Sequence, residues 1–168
     1  MLSDALGNPV SLDHPSSLRA LNDFVEGFIR CEARAVNLLQ VAASDHSAIV
    51  QACCAALHMF AESAQAPANA TPFMQRAKAN AARASLREQG FVACVGAWVN
   101  GDLALAMALH EQHQRQFPRD VVALKLGQYH LFNRGDAPGM LRLVQLALPH
   151  CTDVAQAHGM AEIGRAHV

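Results

Sequence analysis

The sequence predicts an all-α protein, a right-handed superhelical array of antiparallel helix pairs. Three observations point there. The chain of 168 residues is 52% hydrophobic but only 5% aromatic, and much of its apolar content is alanine, the residue of highest helix propensity. Runs of β-branched and aromatic residues, which strands prefer, are scarce. Two Gly-Asp pairs, Gly101/Asp102 and Gly135/Asp136, stand 135 − 101 = 34 residues apart, the spacing expected when one structural unit is repeated.

The elements follow in order. Residues 1–15, with Gly7, Asn8, Pro9, Asp13 and Pro15, read as an irregular lead-in. Ser16 or Ser17 can cap the first helix, since a serine hydroxyl accepts from a free first-turn N–H. "SLRALNDFVEGFIRC" then sets Leu18, Leu21, Val25, Phe28 and Ile29 at helical spacing. "EARAVNLLQVAAS" continues the pattern with Ala35, Leu38, Leu39 and Ala42. Asp45 and His46 start a third helix through "AIVQACCAALHMFAES". Pro67 and Pro72 are expected to break it and start another, because proline is tolerated in a first turn and not in a helix interior. "REQGFVACVGAWVN", "LALAMALHEQHQRQF", "DVVALKLGQYHLFN" and "PGMLRLVQLALPH" supply the later helices, and a fifth pair begins near Val154. The helical domain is expected over 16–161, with its clearest repeats at 87–120 and 121–152.

The first of these repeats fits the tetratricopeptide period. Trp98 is the large residue late in its first helix, and Gly101 and Asp102 form the turn. Ala106 is the small residue at the helix crossing, and Pro118 closes the unit. The second repeat matches at Gly135, Asp136 and Ala147, and departs at Met140 and Pro149. Glycine ends a helix because it reaches the left-handed conformation without steric cost, and aspartate caps the next. Arg134-Gly135-Asp136 is thus repeat punctuation and not an adhesion signal.

The formal net charge is −1 and the pI about 6.7. No basic stripe is present to neutralise a phosphate backbone, so nucleic acid is not an expected partner. The most apolar stretch, Ala48 to Ala61, is too short for a bilayer, and "MLSDALGNPV" lacks the pattern of a signal peptide. The five cysteines are odd in number and form no C-x-x-C pair. They read as buried thiols in a reducing compartment, the cytoplasm. No phosphate loop, dinucleotide fingerprint or Gly-x-Ser-x-Gly motif occurs, so neither a cofactor nor catalytic residues are expected. His110 and His113 are one residue too close for a zinc-protease helix and lack a third ligand. They read as a solvated face, and His58 and His130 as packing histidines.

Stacked helix pairs present an extended concave surface lined by the first helix of each pair. The candidate binding residues on that surface are Glu88, Phe91, Trp98, Lys125, Tyr129 and Asn133. Lys125, Tyr129 and Asn133 share a face at i, i+4, i+8 and could receive a peptide carboxylate or backbone. For Trp98 and Phe132 the competing reading is core between helices.

The stretches "ALGNPVS", "AWVNGDLALAMALHEQ" and "FPRDVVALKLGQYHLFNRGD" are similar to the tetratricopeptide repeat protein 38 family, its bacterial members in particular. In that family a Gly-Asp turn precedes an alanine-rich helix. An aromatic-Pro-x-Asp link and a helix with Leu-Lys-x-x-x-x-His-x-Phe follow. Here these are Phe117, Pro118, Asp120, Leu124, Lys125, His130 and Phe132. The resemblance runs to about Met160 and is most specific from Trp98 to Asp136. It implies a helical repeat scaffold with further helix pairs beyond, and no established reaction.

The ending "EIGRAHV" departs from the apolar helix that this resemblance implies. It is also the translation of GAG ATC GGA AGA GCA CAC GTC, which matches the start of a common sequencing adapter. Glu162 to Val168 is therefore expected to be a non-native tail, with the native chain continuing from about Ala161. The functional expectation is a scaffold for a protein or peptide, with self-association possible through the open C-terminal end. The alternative is the N-terminal part of a larger helical-repeat enzyme or enzyme-associated protein, its site including His130 and completed by later repeats.

Overall fold

The structure is a computed structural model that describes residues 2–166. The helices are α1 (Leu18–Arg30), α2 (Ala48–Phe60), α3 (Ala66–Asn80), α4 (Leu86–Val99), α5 (Leu103–Gln116), α6 (Val121–Asn133), α7 (Ala137–Ala147) and α8 (Ala155–Ala166). Consecutive helices pack as neighbours: α2 with α3, α4 with α5, α6 with α7, and α7 with α8. Short connections of this kind bring successive helices together antiparallel. The α2/α3 contact is built from small side chains, with Ala52, Ala55, Ala56, Ala70 and Ala77 all fully buried.

Both Gly-Asp turns take the expected form. Gly101 and Gly135 have φ of 79° and 70°. The Asp102 carboxylate accepts from the Leu105 N–H at 2.9 Å, and that of Asp136 from the Gly139 N–H at 2.8 Å. Asp120 caps α6 in the same way, through the Ala123 N–H. Before α4, Ser85 and Glu88 form a reciprocal capping box.

Three elements differ from the sequence reading. The lead-in contains a two-residue antiparallel ladder, β1 (Leu2–Ser3) against β2 (Pro9–Val10). The Asp4 carboxylate holds its turn by accepting from the Leu6 and Asn8 N–H groups. The stretch read as a second helix is instead a 3-10 segment, Ala33–Gln40. Cys31, at φ 58°, ends α1, and the Glu32 N–H returns to the Gly27 carbonyl. The chain folds straight back onto α1, where Asn37 bonds Asp23 and Arg34 bonds Glu26. The third difference is Pro72, which lies inside α3 and does not start it. The carbonyl that loses its bond is that of Ala68, on the exposed side of the helix, where water can serve it.

α1 links two parts of the fold. It packs against its own 3-10 return and also against α6. The ladder is tied down beside it: Arg87 donates to the Pro9 carbonyl, Arg119 to the Leu6 carbonyl, and the Ser11 N–H to Glu88.

Candidate functional site

The face expected to be open on α4 and on the start of α6 is covered by the chain itself. Glu88 is fully buried. One of its carboxylate oxygens accepts from the Ser11 N–H at 2.8 Å, and the other accepts from the Ser85 N–H and hydroxyl. Phe91 is also fully buried, and it shares a residual cavity of only about 10 Å³ with Leu21, Phe24 and Val25 of α1. Trp98 is buried too. Its ring packs on Phe60, Tyr129 and His130 at centroid distances of 5.3, 5.5 and 4.9 Å. These residues are core, each covered by a different element: Glu88 by the lead-in at Ser11, Phe91 by α1, and Trp98 by Phe60 of α2. The core reading of Trp98 therefore holds, whereas Phe132, its counterpart, is 57% exposed.

Lys125, Tyr129 and Asn133 remain at the surface. The Lys125 ammonium donates to the carbonyls of Phe28 and Ile29 at 2.7 and 3.1 Å and lies 3.0 Å from the Cys31 sulfur. A cation there satisfies the last carbonyls of α1 and matches the negative end of its dipole. The Tyr129 hydroxyl donates to Glu62 at 2.6 Å. Burial, and then this bond to a carboxylate, push the phenol above its ordinary pKa, while a bond from Asn133 opposes the shift.

Where α1 ends, a trough opens. It has a volume of about 460 Å³ and runs between α6 and α8. α6 contributes Lys125, Gln128, Tyr129 and Phe132, and α8 contributes Gln156, Gly159, Met160 and Ile163. Each set falls at i, i+3, i+4, i+7, one stripe of a helix. Ile29, Cys31, Phe60 and Met140 complete the lining. The α8 wall was legible as a stripe in "QAHGMAEI", but Ile163 lies in the segment expected to be non-native. The structure continues α8 through Ala166, and His167 and Val168 lie outside the described residues.

A second polar cluster lies inside the helices. His110 and His113 are 2% and 3% exposed, not solvated. Glycines make the space: a Cβ on Gly90 would meet the His113 ring at 2.6 Å, and one on Gly127 would meet the His110 Cβ at 3.1 Å. His113 Nε2 lies 3.0 Å from the Asp120 carboxylate, which also pairs with Arg87 at 2.8 Å. Burial resists ionisation of Asp120, but the His113 bond and the Arg87 guanidinium outweigh it and hold the carboxyl below its usual range. His110 and His130 sit with ring centroids 5.5 Å apart. Burial pushes His110 down to about 3, with His130 adding to the effect, and burial likewise pushes His130 down to about 4. His130 is thus a neutral packing group between Trp98 and His110. The cluster joins α4, α5 and α6 and faces inward.

Among the described residues, no group of three or more His, Cys, Asp or Glu could hold a metal ion, and no helix is long and apolar enough to cross a membrane. Cys53, Cys54, Cys94 and Cys151 are buried free thiols, and Cys31 is exposed. Comparison with protein-family models, with curated proteins and with solved structures finds no match for this chain.

Proposed function

We propose that this chain is a cytoplasmic helical-repeat scaffold of tetratricopeptide type that binds a protein or peptide segment, with the trough between α6 and α8 as its binding surface. The observation that carries the reading is the pair of facing stripes, Lys125, Gln128, Tyr129 and Phe132 on α6 and Gln156, Gly159 and Met160 on α8, which line one largely apolar groove. Its volume falls in the range of about 300–1,000 Å³ typical of binding clefts. Met140 and Met160 in the lining are unbranched and polarizable, and such side chains adapt to varied apolar partners. Repeat arrays present surfaces of this kind to extended or helical partners. The sequence resemblance to the tetratricopeptide repeat protein 38 family agrees with this reading.

Selection of a displayed peptide library tests it, run in parallel on the wild type and on Gly159→Leu. A Cβ at Gly159 meets nothing within 4 Å, so leucine there fills the trough without displacing the protein. Enrichment of sequences that bind the wild type and not the variant is expected. Failure to enrich any such sequence overturns the proposal.

A further inference from the structure

The trough does not end at its apolar walls. Past Ile29 and Gln156 it opens into a second, polar depression of about 410 Å³, lined among others by Glu26, Arg30, Arg119 and Asp153. Ile29 and Gln156 line both depressions, so the two are one continuous surface. The charges in the polar half are unequally engaged. Glu26 is paired with Arg34, and Arg119 with Asp153. Arg30 is exposed and has no ion-pair partner among the described residues. The surface therefore presents an apolar two-turn stripe followed by one available cation.

The fold also shows what shape lies on this face. α1 is an amphipathic helix seated on the same side of the array, with Leu21, Phe24 and Val25 facing Phe91 and Val122. It stops at Cys31, where the trough begins. Two i, i+3, i+4, i+7 walls lining one trough form a groove that accepts a helix, whose own stripe of the same spacing fits between them.

We infer that the trough takes an amphipathic helix of a partner protein, with apolar residues at i, i+3, i+4 and i+7 and an acidic residue about one turn beyond them that meets Arg30. This rests on the trough being the binding surface, as proposed above. Ile163 belongs to the segment expected to be non-native, but Gln156, Gly159 and Met160 precede that segment, and the α6 wall is independent of it.

The test uses a fluorescein-labelled, alanine-based helical peptide with leucines at i, i+3, i+4 and i+7 and a glutamate one turn beyond, read by anisotropy. A second peptide carries lysine in place of the glutamate. The wild type is expected to prefer the glutamate peptide. Gly159→Leu is expected to bind it about tenfold more weakly or worse, the loss that follows when a buried apolar anchor is shut out. Phe132→Ser, altering an exposed side chain on the opposite wall, should weaken binding in the same direction with the fold retained by circular dichroism. Arg30→Glu should reverse the preference towards the lysine peptide. Binding indifferent to both Gly159→Leu and Phe132→Ser overturns the inference. So does binding sensitive to these changes but indifferent to the Arg30 reversal. If the helical peptides do not bind while library-selected sequences bind in a Gly159-dependent way, the inference fails and the scaffold reading stands. Sedimentation that shows a dimer of the wild type, dissolved by Gly159→Leu, would assign the trough to a second copy and overturn the inference too.

Discussion

Mild acid should destabilise this fold through two histidines. His110 and His130 are buried in the contacts among α4, α5 and α6 and stay neutral there, with folded pKa values pushed down to about 3 and about 4. In the unfolded chain each titrates near its ordinary value of about 6.5. Above that pH neither state binds the proton, and stability is unaffected. Below it the unfolded chain binds protons that the folded protein refuses, so stability falls with pH until the folded values are reached. From pH 6.5 to pH 5 each group covers about 1.5 units at about 1.36 kcal/mol per unit, or about 2 kcal/mol. Together they remove about 4 kcal/mol from a total that is commonly about 5–15 kcal/mol. Asp120, whose folded pKa is lowered, keeps its contribution above its unfolded value of about 3.8 and begins to lose it only below. The pH 5 to 6.5 window therefore isolates the histidines from that carboxylate. The protein has one tryptophan, and Trp98 lies 4.9 Å from the His130 ring, so its emission reports on this contact. Urea unfolding followed by that emission should show the midpoint falling by about 2 M between pH 7 and pH 5, for a slope of about 2 kcal/mol/M. The His110→Gln/His130→Gln double variant should lose most of this pH dependence, whatever its stability at pH 7. An unchanged midpoint in the wild type, or an equal shift in the double variant, would refute the reasoning.

Further tests address separate parts of the fold. Asp120→Asn removes the charge between Arg87 and His113 and leaves a buried guanidinium without its counter-ion, so a loss of about 3–5 kcal/mol is expected in equilibrium unfolding. Asp102→Ala removes only an exposed helix cap and should cost about 1 kcal/mol by the same assay. At Gly90, alanine gains about 1 kcal/mol of helix propensity but places a methyl 2.6 Å from a His113 ring held by Asp120; overpacking of about 1–3 kcal/mol is expected to win, giving a lower melting temperature. A thiol reagent should modify Cys31 at once in the native protein and the other four cysteines only after unfolding, since those are buried.

The parts of the fold legible in the sequence are those that a few neighbouring residues determine. The Gly-Asp turns are local: a glycine at positive φ and an aspartate accepting from the N–H three residues on suffice, and both appear where the spacing placed them. Helical periodicity likewise located α1, α2 and α4 to α7. The misreadings involve partners far away in sequence. Glu88 reads as an exposed helix residue until Ser11 reaches its carboxylate from 77 residues away. Lys125 reads as a ligand-facing cation until it meets the α1 carbonyls 97 and 96 residues away. His110 and His113 read as solvated because the polar residues Glu111, Gln112 and Gln114 surround them. Gly90 and Gly127, which make room for those histidines, sit on other helices.

The site residues that moved indoors are covered by elements that precede them in the chain. Periodicity treats the first helix of each pair as free on one face, but α1 meets Phe91 there, the lead-in reaches Glu88 through Ser11, and α2 meets Trp98 through Phe60. Phe91 lies against Leu21, Phe24 and Val25 of α1 and Trp98 against Phe60 of α2, and Phe28 joins Phe24 to Phe60 through contacts at 5.3 and 5.1 Å. α1 is only 13 residues long, about 20 Å at about 1.5 Å per residue. It stops at Cys31, and Lys125 caps its last carbonyls at that boundary. Tyr129 and Phe132, one and two turns further along α6, are left beside the trough. The end of α1 thus marks where the covered face gives way to the trough. Extending it beyond Arg30 by replacing the left-handed Cys31 and the 3-10 return with helix-forming residues should close the trough. Such a variant should lose the binding that Gly159→Leu also abolishes, and it should unfold at lower urea because the return's buried Leu38 and Ala35 leave the core. If it binds as the wild type does, the end of α1 does not set the edge of the site.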